Sequence, residues 1–403
     1  MHKLSFIFVV VFIFIFGCAS SSNVSSTTNT EMLGDPKPAA YNTEAYFNML
    51  KGKKIALVIN QTSTIGNKLL VDSLILAGFN ITKIFAPEHG FRGNADAGAK
   101  INDQKDTKTG LQIVSLYGKK NMPSDEDLLG IDLMIFDIQD VGARFYTYIN
   151  TLQLVMQACA NNHIPLMVLD RPNPNGYFID GPVLDPKFSS FVGFNPVPVV
   201  YGMTIGEYAL MVNGEKWLPN KLKCELDVIK CMDYDHNSSY FLPVPPSPNL
   251  KSENAILLYP SLCFFEGTLV SVGRGTPHPF ECFGYPGNSL GKFMFTPTSV
   301  LGATDPPYKG EACTGIDLRE VSIDSIKMRK SLSLHYLIDQ FHAYKGNDFF
   351  LKNGFFDKLA GTDQLRIQIE KAFTEKQIRA SWQQDIEHFK TIRKKYLLYK
   401  DFE

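Results

Sequence analysis

The chain has 403 residues, 44% of them hydrophobic, so it can bury a large core, and its length favours two domains over one. Forty basic and 41 acidic residues leave a net charge of -1. With no basic patch visible, that balance excludes a nucleic-acid binder that relies on neutralising phosphates.

The first residues, "MHKLSFIFVVVFIFIFGC", carry a basic start at Lys3, an apolar run from Leu4 to Phe16, and Gly17 just before Cys18. The run is too short for a comfortable membrane span and reads as a secretory signal over residues 1–17. Gly followed by Cys resembles a bacterial lipoprotein processing site, which implies cleavage before Cys18, lipidation of its thiol and a membrane-anchored protein facing the periplasm. Residues 18–40 are too poor in apolar side chains to fold and are expected to be a flexible tether. The remaining cysteines, at 159, 224, 231, 263, 282 and 313, form no CxxC pair or dense cluster. They read as buried small apolar residues, with at most one disulfide among them, and not as a zinc site.

From residue 41 the pattern alternates. "KKIALVIN", "ITKIFA", "LQIVSLYG", "DLMIFDIQ" and "PLMVLDRPN" are continuous apolar runs, separated by helix-like stretches such as "KLLVDSLILAGF" and "YTYINTLQLVMQACANN". Strands buried on both faces and spaced by helices predict an α/β fold, a Rossmann-like parallel sheet over residues 41–219. No GxGxxG follows the first strand, where "NQTSTIGNK" stands instead, so no dinucleotide cofactor is expected. After "TIGEYALMVNGEKWL", a helix capped by Thr204, the composition changes. "CELDVIKC" is strand-like, "FLPVPPSPNL" cannot be a helix interior, and helical periodicity returns only at "SLHYLIDQFHAYKG" and "DQLRIQIEKAF". A smaller α+β domain is expected over residues 220–403.

Ligands of open α/β sheets sit at the carboxyl ends of the strands. Four polar loops fall there: "NQTS", "PEHGFRG", "DIQDVGARFY" and "DRPNPNG". Glu88 and His89 make a candidate acid/base pair, since a carboxyl set among Phe85 and Phe91 would be pushed toward the range a general acid needs. A turn whose glutamate caps backbone amides is the alternative. Asp137 and Asp140 could hold substrate or serve a structural hydrogen-bonding role; their spacing to His89 and His163 is nonspecific for a metal, and none is expected. Arg92, Arg144 and Arg171, with Asn173, could contact an anionic substrate, or the arginines could pair with the neighbouring acids Asp140 and Asp170. In the second domain "FFEGT" places Glu266 after an apolar strand, and "GRGTPHPFE" supplies Arg274. Glu266 is either a second carboxylate across a cleft or a buried partner of Arg274. GxSxG, HExxH and P-loop motifs are absent.

With these residues in place, a family resemblance is plain. "PEHGFRG", "DIQDVGARFYTYI", "LDRPNPNG", "DGPVLDP" with "SFVGF", "YGMTIGEYA", "PPSPN", "YPSLCFFEGTLVSVGRGT" and "PFECFGYP" run in order from about Lys53 to Gly287. In these stretches the sequence resembles the bacterial exo-β-N-acetylmuramidases, glycosidases of cell-wall recycling long known only as an uncharacterised domain. The resemblance implies a Rossmann-like domain joined to a smaller one. It also implies a cleft for a non-reducing terminal N-acetylmuramic acid, with Glu88 as catalytic acid/base and Glu266 as the family's second glutamate. Tyr201 stands where many members have His, and Val272 where many have Glu. The lactyl carboxylate of such a substrate suits a bidentate arginine, with Arg92, Arg144, Arg171 and Arg274 as candidates. The group opposite the acid is either Glu266 or the sugar's own acetamido. The expected protein is a cofactor-independent exo-muramidase acting on peptidoglycan fragments, the alternative a non-catalytic muropeptide-binding lipoprotein.

Overall fold

Runs such as Ile55–Ile59 and Leu133–Asp137 have no exposed residue, so a strand built from them needs apolar cover on both sides. The computed structural model describes Met1 and residues 34–91 and 104–403. The expected signal segment, Cys18 with most of the tether, and Arg92 lie outside the described residues. Along the chain come α1 (Thr43–Leu50), β1 (Lys54–Ile59), the small hairpin β2 (Thr64–Ile65) and β3 (Lys68–Leu69), α2 (Leu70–Leu76), and β4 (Asn80–Ala86). Then follow β5 (Gln104–Lys105), β6 (Gln112–Ser115), α3 (Asp125–Leu128), β7 (Leu133–Asp137), α4 (Tyr148–Asn161), β8 (Leu166–Leu169), α5 (Ile205–Gly214) and β9 (Leu226–Ile229).

The sheet order is β5-β6-β4-β1-β7-β8-β9, with β5 antiparallel at one edge and every other pair parallel. Counting the six parallel strands in chain order gives 3-2-1-4-5-6, the doubly wound order of dinucleotide-binding folds, so the Rossmann-like expectation holds. The strand order reverses between β1 and β7. α5 begins at the cap predicted at Thr204, which the structure completes as a capping box: the Thr204 side chain accepts from Glu207 N–H, and the Glu207 carboxylate accepts from Thr204 N–H. The strand in "CELDVIKC" lies beyond residue 219 yet pairs with β8, from Leu166↔Leu226 to Leu169↔Ile229, and so belongs to the large sheet. Without it, β8 would present a buried row of unpaired backbone groups.

Further on lie α6 (Glu253–Leu262), β10 (Cys282–Tyr285), β11 (Phe293–Phe295), β12 (Cys313–Asp317), α7 (Ile323–Arg329), α8 (Leu334–Ala343), α9 (Phe355–Ala360), α10 (Gln364–Glu370) and α11 (Glu375–Arg393). The three strands form an antiparallel sheet, β10-β12-β11. The stretch read as an apolar strand before Glu266 is instead α6 and a 3-10 turn, Cys263–Gly267. Residues 255–262 of α6 are all buried, which erases the one-sided period by which a surface helix is recognised. All six described cysteines are buried and free.

One sheet face is covered by Tyr46, Leu50, Leu70 and Leu74. The other belongs to an apolar core that continues without a break into Phe264, Phe283, Phe356 and Trp382 of the second half. Residues 34–403 accordingly form one compact unit. Arg144 reinforces the join. Only 1% exposed, it donates to the carbonyl oxygens of Pro182 (2.8 Å) and Val197 (2.7 Å) through Nη1, and of Leu359 (2.9 Å) and Ala360 (2.7 Å) through Nη2. Burial pulls its guanidinium below the ordinary arginine value. Arg144 is therefore a cross-link between the halves, and the expectation that it binds substrate is corrected: both terminal nitrogens are committed to backbone.

Replacing Arg144 by Met keeps the stem and removes the donors from four buried carbonyls. We expect a loss of about 3–5 kcal/mol in unfolding free energy, measured by urea denaturation.

Candidate active site

Strand β4 ends in a tight turn, closed by Gly90 N–H donating to Pro87 O at 3.0 Å. His89 and Gly90 both take left-handed backbone angles, φ 69° and 75°. Few non-glycine residues adopt that conformation, and here it turns Glu88 and His89 toward a cleft of about 730 Å³. The loops after β6 and β7 contribute Tyr117 and Tyr146–Tyr148 to the same cleft, and the second half contributes Cys263, Glu266 and Arg274.

The Glu88 carboxylate is held by the start of α4. Thr147 occupies the N-cap position but makes no capping bond, and its hydroxyl donates to Glu88 Oε2 at 2.8 Å. The positive end of a 14-residue helix thus faces an acid. Tyr117 stands beside it: burial, and then the Glu88 charge with a hydrogen bond to it, raises the phenol well above its ordinary value, so Tyr117 stays a neutral donor. Its ring lies 5.7 Å from that of Phe191, giving the cleft an aromatic wall.

Glu266 sits on the 3-10 turn after α6. Its Oε1 accepts from Arg274 Nε at 2.6 Å and its Oε2 from the Cys263 thiol at 3.5 Å. The guanidinium carbon of Arg274 lies 5.1 Å from the centre of the Phe280 ring. Burial alone would lower Arg274, but the Glu266 carboxylate outweighs it and raises the guanidinium above its ordinary value. Burial, helped by the Glu266 charge, pushes the Cys263 thiol well up, which leaves it inert.

Glu88, His89, Glu266 and Arg274 are therefore brought together, as far apart in sequence as they are. Four other candidates are not part of the cleft and are corrected to internal roles. Arg171 forms a buried fork with Asp137, Nε to Oδ1 at 2.5 Å and Nη2 to Oδ2 at 3.0 Å; Asp170 accepts from Arg171 only through the backbone N–H, at 2.9 Å. Burial raises Asp137 despite the opposing Arg171 charge. Asp140 accepts from Gly142 N–H at 2.7 Å and from the Tyr201 hydroxyl. Asn173 donates to Met203 O at 2.8 Å and accepts from Asn175 N–H at 2.8 Å. The physical reason is shared. The loops after β1, β7 and β8 meet at the strand-order reversal, and their polar groups bond to one another there: Gln139 N–H donates to Thr62 Oγ1 at 3.0 Å and Gln139 Nε2 to Pro172 O at 2.8 Å, while Gln61 Nε2 reaches the carbonyls of Pro245 and Pro246 in the segment after β9, both at 3.1 Å. The open space lies to the side, over β4 and the start of α4.

Models of the two parts of one enzyme family match nearly the whole described chain. Exo-beta-N-acetylmuramidase NamZ, N-terminal, matches residues 55–254, and its C-terminal counterpart matches residues 257–399. A curated relative, the peptidoglycan beta-N-acetylmuramidase NamZ of Bacillus subtilis, is 37% identical over 432 aligned positions, covering 99% of this chain and all of the relative. The chain belongs to the NamZ exo-β-N-acetylmuramidase family. Two crystal structures of DUF1343-family proteins from Bacteroides fragilis share its fold. One is 47% identical with a TM-score of 0.85, covering 91% of this chain and all of that one; the other is 29% identical with a TM-score of 0.74, covering 91% and 99%.

Within this family fold, the residues that sequence reasoning passed over are Thr147, Tyr117 and Phe191. Thr147 carried a weak signal, a hydroxyl directly before a helix, but its acceptor lies 59 positions earlier in the chain. Tyr117 and Phe191 are ordinary aromatics until the loops bring them together.

The buried Asp140 gives a pH-dependent prediction. Burial raises its carboxyl from 3.8 to about 6, against the opposing bonds from Tyr201, Gly142 and Val141. A raised folded-state value means the stability it contributes is complete below pH 3.8 and is lost as pH rises through 6. Asp140→Asn removes that titration, so the variant's stability relative to the parent should climb by up to about 3 kcal/mol between pH 4 and pH 7.5. Denaturant unfolding at a series of pH values checks this; a difference that does not vary with pH would contradict it.

Proposed function

We propose that this chain is an exo-acting glycoside hydrolase that releases non-reducing terminal N-acetylmuramic acid from peptidoglycan fragments during cell-wall turnover. The observation that carries the reading is Glu88, fixed by the Thr147 hydroxyl at the head of α4 inside a cleft, in a chain of this family. Glu88 in its acid form donates a proton to the glycosidic oxygen as the bond to the anomeric carbon breaks, and the aglycone leaves as a neutral alcohol. Thr147 and Tyr117 accompany the carboxylate that remains, and in that form it takes a proton from the incoming water. His89 lines the same wall and would help to orient the leaving sugar. The positive charge that develops on the sugar needs a second group on the opposite face, for which Glu266 and the substrate's own acetamido oxygen are the two candidates.

The proposal includes the protein's location. The signal-like segment ending Gly17-Cys18 supports export, cleavage before Cys18 and lipid anchoring in the cell envelope facing the periplasm; the tether expected over residues 18–40 is shorter than that, because Lys37 bridges to Met232 and Ala39 and Ala40 are buried in the core. Cys18→Ser should move the protein from the membrane fraction to the soluble one; retention in the membrane would contradict a lipid anchor.

The reaction is tested with the purified full chain and a disaccharide bearing muramic acid at its non-reducing end. Free N-acetylmuramic acid should appear, and its absence would overturn the reading. Glu88→Gln should lower kcat by about 10²–10⁴-fold with substrate binding retained. A 4-nitrophenyl muramide, whose leaving group needs no proton, should suffer a much smaller loss in the same variant. A non-catalytic binder would turn over neither substrate before or after the change.

A further inference from the structure

Resting on the reading above, we propose that Arg274 is the receptor for the carboxylate of the substrate's lactyl group, and that Glu266 is the positioning residue that orients it. Among the three candidate arginines that the structure describes, the donors decide this. Arg144 holds four carbonyl oxygens and Arg171 holds Asp137. Among the described residues lining the cleft, Arg274 is the one lysine or arginine.

Arg274 is also built into place. It lies between Gly273 and Gly275, which take φ 76° and 82°. A Cβ on Gly273 would meet Cys282 Sγ at 2.6 Å, and one on Gly275 would meet Thr298 O at 2.6 Å, so the turn requires glycine on both sides. From there the guanidinium lies against Phe280 and gives Nε to Glu266. Its terminal nitrogens Nη1 and Nη2 make no hydrogen bond among the described residues. What remains is a planar edge with parallel N–H donors, fixed in rotation by Nε on one side and an aromatic ring on the other. That edge matches a carboxylate in two-point contact. Val272, buried in the cleft lining two residues earlier, offers no acceptor to compete for it.

The same contacts define Glu266. One oxygen is in an ion pair with Nε and the other accepts from Cys263, so neither is left uncommitted for attack on the sugar. A carboxylate in that position fixes the guanidinium plane. Because the Glu266–Arg274 pair is close to neutral overall, the recognition it provides is mainly directional, through two charge-assisted hydrogen bonds.

The test compares binding of free N-acetylmuramic acid with N-acetylglucosamine, which lacks the lactyl ether, to the full chain by calorimetry. The parent should bind the muramic sugar about 10- to 100-fold more tightly. Arg274→Lys, which keeps the charge but not the fork, should bring the two affinities within about threefold by weakening only the muramic sugar. An unchanged affinity for N-acetylglucosamine serves as the check that the variant is folded. Glu266→Gln should weaken muramic-acid binding and raise KM on the 4-nitrophenyl muramide while kcat falls less than about tenfold, since a nucleophile would lose several orders of magnitude there. Equal binding of the two sugars by the parent, a preference that survives Arg274→Lys, or a collapse of kcat in Glu266→Gln would each overturn the assignment. Hydrolysis by the parent together with an undiminished preference in Arg274→Lys defeats this inference alone. Selective binding without any hydrolysis defeats the glycosidase reading and leaves the receptor standing.

Discussion

A parallel sheet covered on both faces has only its ends for polar chemistry, and in this protein the end that carries the long loops must also satisfy its own backbone. Three of those loops, after β1, β7 and β8, meet where the strand order reverses, and they use their side chains on each other. Asp137 with Arg171, Gln139 with Thr62, and Gln139 with the Pro172 carbonyl are parts of that arrangement. Leaving any of these groups buried without a partner would cost about 1–3 kcal/mol or more. The crevice at the reversal, where such folds usually receive a ligand, is therefore bridged by the chain's own polar groups. The cleft lies beside it, where the turn after β4 faces the head of α4.

That displacement explains why two halves of the chain are needed for one site. The first half provides Glu88, with Thr147 and Tyr117 to hold it. The wall opposite comes from the turn after α6 and the Gly-Arg-Gly segment. A continuous apolar core joins the halves, and Arg144 ties the loop after β7 to the carbonyls at the end of α9. Both walls of the cleft thus rest on one continuous core, as a glycosidase needs if its groups are to address the two faces of one sugar ring.

Much of this was legible in the sequence wherever the physics is local. The apolar runs located the parallel strands of the sheet, and Thr204 marked the start of α5. The errors share a cause as well. A helix buried on every face, such as α6, has no amphipathic period, and β9 could not be assigned to its sheet without knowing that β8 lacked a partner. For the site, "PEHG" and "FEGT" both supplied glutamates that line the cleft, whereas "DIQDVGAR" and "DRPN" supplied residues with the same chemistry and internal roles.

By itself, then, the sequence determined the parallel strands of the large sheet, the family, and the residue types able to do acid/base and anion-binding chemistry. Tertiary structure alone decided which of the three described arginines, Arg144, Arg171 and Arg274, keeps an open fork, which carboxylates reach a cleft, and which hydroxyl holds Glu88. The reason is physical. Residue type sets what a group can bond to, and periodicity sets which way it points within its own element. Whether a bond is already taken depends on partners such as Leu359 for Arg144, 215 residues away, or Thr147 for Glu88, and only the folded chain brings them within reach.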